Sequence, residues 1–315
     1  MGRFQDWRAR QRLASDLAAK ALGTQPYFAS GRQGQMVHPL RTWLDQALAG
    51  LGPEHDVTLE LRYRLAGALR ATGAVAEASE QAAAVVAERE RLGTSQTLLQ
   101  AWVLYAGTLD TLGRHEESAQ AWVELAELAG NGVDQGALVR VTRAQRAAAL
   151  CHAERFAEAE TESRLLIDSA ASVAGAAGVA VRLSGLILLS VALTGQGRAV
   201  EAESAARQGL VIASVEGGVA ATSNAYVLTV NLASALTAQG RHQEALDVLA
   251  ATPRPPHLTV ETAAATAVTQ ARALRALNRR DEATAALHAV QTTTEQLFGP
   301  DHIRVRELRA LLAQA

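Results

Sequence analysis

The chain holds one cysteine, Cys151, in 315 residues, which excludes an internal disulfide and any metal site built from several thiolates. It is also short of aromatics, at 4%, so a core plugged by large rings is excluded and buried helices must meet through small side chains. An excess of either charge is missing. The 30 Lys and Arg set against 32 Asp and Glu leave a net charge of −2, and no Lys/Arg run is flanked by stacking aromatics, which argues against a nucleic-acid partner. Only Lys20 is a lysine, a bias toward arginine that carries no functional reading. The stretch MGRFQDWRARQRLASDL lacks the uncharged apolar core and small-residue cleavage site of a secretory signal. A reducing cytoplasm is the expected compartment.

What the chain has is repetition. A Glu-Ala or Glu-Ser pair recurs at Glu77, Glu117, Glu158, Glu201, Glu244 and Glu282, spaced 40, 41, 43, 43 and 38 residues apart. Periods of that size indicate a helical solenoid. Each unit carries a turn at Gly73, Gly113, Glu154, Gly197, Gly240 or Asn278, mostly residues that tolerate a left-handed helix cap. Four places before each turn stands a leucine: Leu69, Leu109, Leu150, Leu193, Leu236 and Leu274. Seven places before it stands a small residue, Ala66, Ala106, Ala147, Ser190, Ala233 and Ala271, and five after it another, Ala78, Ser118, Ala159, Ala202, Ala245 and Ala283. Three registers held through six copies predict helix pairs that cross closely at those positions.

Residues 1 to about 22 read as an amphipathic helix that caps the open end of the array. Gly23 to Pro39, with Pro26, Gly31 and Gly34 inside it, reads as a loop or linker, so the chain divides into an N-terminal helix and loop, 1–39, and a repeat domain, 40–315. Near the end, Leu297-Phe-Gly-Pro-Asp-His302 echoes Leu51-Gly-Pro-Glu-His55, and a last helix to about Ala313 closes the array. Its Arg304, Arg306 and Arg309 suit a solvated outer face. The stretch 169–197 carries only Arg182 as a charge and could pass for a membrane span. Its Ser190, Leu193 and Gly197 keep the register of the other units, so a buried helix is expected and no membrane partner.

The stretches LGPEHDVTLELRYRLAGAL and NLASALTAQGRHQEALDVL resemble the tetratricopeptide repeat family, in the longer-period form of kinesin light chains that many bacterial proteins share. The resemblance covers about residues 40 to 312. It implies an all-α fold, a right-handed superhelical solenoid of about six antiparallel helix pairs with capping helices at the ends, whose first helices line a concave, ligand-binding surface. By the same resemblance, residues ten, six and three places before each turn face that groove. Among them Tyr63, Arg70, Val103, Asp110, Ile187, Val191, Val230, Ser234, Thr237, Arg272 and Arg275 are the candidate binding residues. The groove they imply is mostly apolar, with charged anchors toward its two ends.

No catalytic constellation competes with that reading. His115-Glu116-Glu117 lacks the second histidine of a zinc-binding helix, His115 and His242 read as solvated turn residues, and His55 and His302 as loop-packing ones. Cys151 and His152 are adjacent on a helix and diverge by about 100°, so Cys151 reads as a core thiol. The glycine pairs at 175–178 and 217–218 lack the Gly-Lys-Ser/Thr ending of a phosphate loop. The expectation is a non-enzymatic scaffold without cofactor or metal that holds a protein or peptide ligand. The alternative is a peptide-sensing regulator that acts in trans on a transcription factor or enzyme.

Overall fold

The computed structural model describes residues 2–92, 96–129, 135–216, 218–256 and 258–314. Every regular element among them is helical. The order is α1 (Gly2–Leu22), α2 (Gln25–Ala29), a 3₁₀ turn (Gln33–Met36), α3 (Val37–Gly50), α4 (Asp56–Ala71), α5 (Val75–Leu92), α6 (Gln96–Thr111), α7 (His115–Ala129) and α8 (Gln135–His152). There follow α9 (Phe156–Ser169), a second 3₁₀ turn (Ala170–Ser172), α10 (Gly175–Gly195), α11 (Ala199–Glu216), α12 (Gly218–Ala238), α13 (His242–Ala251), α14 (Val260–Ala276), α15 (Arg280–Leu297) and α16 (Ile303–Leu312). The helices form two compact units, Met1–Thr111 with Glu127–Ala129, and Leu112–Ala126 with Gly130–Ala315.

The registers read from the sequence are the packing surfaces. All six leucines four places before the turns are at most 2% exposed, and the twelve small residues of the other two registers are at 0%. From α8 on, each helix packs on its neighbours along the chain, and the even-numbered helices α8, α10, α12, α14 and α16 also pack on one another in succession. All six turn residues adopt positive φ, including Glu154 at 62° and Asn278 at 60°. That conformation lets the chain reverse in a few residues.

Polar ties lock successive pairs together. Arg198 forks onto both oxygens of Glu201 and reaches back to Glu160, while Gln196 donates to Glu160 and to the Phe156 carbonyl. The same set recurs one repeat later as Arg241 on Glu244 and Glu203, with Gln239 on Glu203 and the Ala199 carbonyl. Arg155 holds Glu158 and Glu116 likewise. Glu158, Glu201 and Glu244 are therefore guanidinium partners within their own repeat, and the same arginines staple one pair to the next through Glu116, Glu160 and Glu203. In the first copy, where Ala74 replaces the arginine, Arg41 of α3 takes Glu77 instead.

Three local readings change. The stretch 23–39 contains α2 and a 3₁₀ turn that fold onto α4, because Tyr27, Phe28 and Met36 join the apolar cluster of α3 and α4. His55 and His302 are helix caps: the Nδ1 of each accepts the backbone N–H two residues on, at 3.2 Å. His115 is buried, since the loop before α16 covers it. As for α10, it is long and apolar enough to cross a membrane, but Leu183, Leu186, Leu189 and Leu193 are buried against α9, α11 and α12.

A chamber in the second unit as the candidate site

Within the second unit the chain closes on itself. Gly299 lies so near Leu112 that an added Cβ would stand 2.5 Å from the Leu112 carbonyl oxygen, and Gly113 meets the backbone of Asp301 and His302 as closely. The rings of His115, His152 and His302 sit around this junction with centroids 5.1, 5.1 and 5.3 Å apart. Two of them serve the start of α16: His302 caps the Arg304 amide, and His115 Nε2 accepts the Ile303 amide at 3.3 Å. The third, His152, reaches Glu261 at the start of α14, 3.1 Å away. Arg306 of α16 meets Glu154 at 3.4 Å.

Behind the junction lies a chamber of about 850 Å³, lined by α8, α10, α12, α14 and α16. Its floor is apolar: Ile187 and Val191 on α10, Val230 on α12 and Val268 on α14, with Ser234 and Asn231 among them. Asn231 spends its amide on the Ile187 carbonyl and the Ser190 hydroxyl, so it fixes the spacing of α10 and α12. One wall is charged. Glu307 takes Arg272 at 2.8 Å on one oxygen and Arg304 at 3.0 Å on the other, and Glu261 lies 3.9 Å from Arg304. Three arginines and three glutamates, Arg272, Arg304, Arg306, Glu154, Glu261 and Glu307, line the space, so it presents paired charges without a net field.

Cys151 also lines the chamber. Burial pushes its thiol up to about 12, with nearby Arg304 pulling weakly the other way. A thiol at that value is protonated at neutral pH and is a poor nucleophile. What the walls offer a guest is apolar contact and hydrogen bonding.

Of the residues expected in the groove, Ile187, Val191, Val230, Ser234 and Arg272 converge on this chamber. Arg275 does not line it, because its guanidinium ties α14 to the Leu311 carbonyl and Gln314. Thr237 bonds the Ala233 carbonyl of its own helix. In the first unit, Tyr63 and Arg70 line a separate cavity of about 660 Å³ with Gln33, Gln100 and Leu104. Val103 and Asp110 are half-buried on α6 of that unit. The residues missed by sequence are those of α16. Arg304 faces inward where a solvated outer face was expected, while Arg306 stays exposed at the rim, and the signal was present: the Gly-Pro-Asp-His echo opens α16 as Gly-Pro-Glu-His opens α4, a first helix with a lining face.

Residues 264–304, from α14 to the start of α16, match a family model described as a tetratricopeptide repeat. Among solved structures, a tetratricopeptide repeat protein from Parabacteroides merdae has a similar fold, with a TM-score of 0.66 at 12% identity over 96% of this chain and 99% of that one. The structure of NprR in complex with its cognate peptide NprX is also similar, with a TM-score of 0.62 at 14% identity over 92% of this chain and 84% of the other. No curated protein matches the sequence.

Proposed function

We propose that this chain, a tetratricopeptide-repeat protein with the fold of its structural neighbours, binds a peptide or an extended segment of a partner protein in the chamber of its second unit and performs no chemistry there. One observation carries the reading: α8, α10, α12 and α14, which repeat the leucine and small-residue packing registers, present their divergent positions, together with α16, to a single half-open space. Selection for stacking alone accounts for Ala233, Leu236 and Ala245. It does not account for an apolar floor at Ile187, Val191 and Val230 facing a charged wall at Arg272, Arg304 and Glu307.

A peptide suits those walls. Apolar side chains would lie on the floor, and backbone amides and carbonyls would pair with Ser234, Arg272 and the glutamates, the division of labour common to small-ligand and peptide sites. The similarity to a protein crystallised with its cognate peptide favours a peptide guest. It equally supports the regulatory version of this reading, in which the guest changes the hold on another protein. A single cysteine, buried as a thiol, suits a reducing cytoplasm.

The test is panning of a synthetic random-peptide pool against the purified chain and against Val191→Glu/Ser234→Glu. Both positions are only half-buried, so the double variant keeps its helices by circular dichroism. Enrichment of a sequence family by the wild type and its loss in the variant is the expected outcome; equal enrichment by both would remove the chamber from the function.

A further inference from the structure

The first unit holds a site of different chemistry. Its inner face is roofed by the chain's own residues: the Phe28 ring stands 3.1 Å from where a Cβ on Gly67 would lie, and the Arg64 guanidinium sits 5.9 Å over that ring. Arg64 is pinned by Glu60 at 2.7 Å and by the Thr24 hydroxyl at 2.8 Å. This roof blocks the path an extended peptide would take along the inner face of α4. Beneath it remains the cavity of about 660 Å³, within the range of small-molecule sites, roughly 300 to 1,000 Å³.

Two groups lining that cavity have no hydrogen-bond or charge partner among the described residues. The Gln33 side-chain oxygen is buried and has no hydrogen-bond partner. The Arg70 guanidinium extends from the last turn of α4 across Gly107 of α6, 3.7 Å from that residue's Cβ position, and no carboxylate is paired with it among the described residues. Glu60 and Arg64 cancel each other at 2.7 Å, so the lining carries one uncompensated positive charge, on Arg70. Tyr63 stays a neutral hydroxyl, since burial and then Glu60 push its pKa above 10.0.

From this set we infer that the first unit binds a small molecule carrying a carboxylate and an N–H donor, of the free amino-acid class. The carboxylate pairs with the planar fork of Arg70, the geometry in which guanidinium and carboxylate form two parallel bonds. The amino group donates to Gln33, and an apolar side chain lies against Phe28 and Leu104. The inference is independent of the peptide reading for the second unit. Gly67 acquires a purpose under it, because a Cβ there would press on the Phe28 ring at 3.1 Å, whereas one at Gly107 would only touch Arg70 at 3.7 Å.

The experiment uses the full chain in thermal-shift and calorimetric titrations with the individual free L-amino acids, each beside its carboxyl amide and its N-acetyl form. At least one free amino acid raises the unfolding temperature, its amide and N-acetyl forms bind about tenfold more weakly or worse, and Arg70→Ala costs a similar factor while Arg70→Lys costs less. Gln33→Met weakens binding too, and Val191→Glu/Ser234→Glu leaves it unchanged. Arg70 is exposed and Gln33 lies outside the core, so both variants fold. The inference is overturned if no free amino acid binds, if the amides bind equally well, or if binding survives both Arg70→Ala and Gln33→Met.

Discussion

At each turn, a single residue decides how sharply one helix can follow the last. Gly197 and Gly113 have nearly the same backbone, φ 76° and 84°, but different surroundings. Nothing lies within 4 Å of a Cβ added to Gly197, whereas one added to Gly113 would stand 2.5 Å from the backbone of both Asp301 and His302. Gly197→Ala should therefore lose only the left-handed backbone penalty, about 1 to 2 kcal/mol. Gly113→Ala should lose that and the junction contact as well, about 3 kcal/mol or more in urea unfolding. Equal losses would mean the junction contributes nothing. A second residue-scale expectation concerns Cys151: with its thiol at about 12 it should resist iodoacetamide at pH 8 in the folded chain and react once urea unfolds it. The turn and packing positions were legible because each repeats six times. His115 was not, because a histidine just past a turn glycine reads as solvated, whereas residues 299–303 return from far along the chain to meet this one.

Among the elements, the Arg-Glu-Gln staples set how the pairs respond to acid. Burial is the largest influence on Glu160 and acts to raise its pKa, but the Gln196 amide and the guanidinium groups of Arg164 and Arg198 together outweigh it, and the carboxyl lies below 4.5. Glu203 is held down in the same way by Gln239, Arg207 and Arg241. A carboxyl lowered on folding stabilises the folded state above its unfolded value, and that contribution is lost as pH falls from about 4.5 through the folded value. Glu160→Gln with Glu203→Gln should thus flatten the acid limb of a stability-against-pH curve and lower stability at pH 7; an unchanged acid limb would show that the staples are electrostatically idle. At this scale the recurrent glutamates were visible in the sequence, but Glu160, Glu203 and Glu116, which tie one pair to the next, were not. The arginine three places before Glu117, Glu158, Glu201, Glu244 and Glu282 is a local signal, but the link to the preceding repeat joins residues 38 or 39 apart, as in Glu160 with Arg198 and Glu116 with Arg155. Element α16 taught the same lesson, since its Gly-Pro-Asp-His opening marked it as a lining helix although its arginines read as solvated.

For the molecule as a whole, the fold was legible because a repeat states its packing rules several times, and the sites were less so because sites lie where the copies differ. Ile187, Val191, Val230, Ser234 and Arg272 were placed in one groove by what the family resemblance implies for their register, but the wall that makes a chamber of the groove comes from α16 and the loop before it, and the roof over the first unit comes from residues 24–36, which break the period. Helix arrays are stabilised mainly by neighbour contacts, so a perturbation in one stretch stays close to it. Two sites in two units should accordingly respond separately. In hydrogen exchange, a peptide enriched on the wild-type chain should protect amides of α10, α12, α14 and α16 and leave those of α4 and α6 unchanged. A free amino acid should protect α4, α6 and the 3₁₀ turn at Gln33–Met36 and leave the chamber helices alone. Protection that spread equally through both units with either ligand would mean that the chain behaves as one cooperative body, and the assignment of one guest to each unit would have to be abandoned.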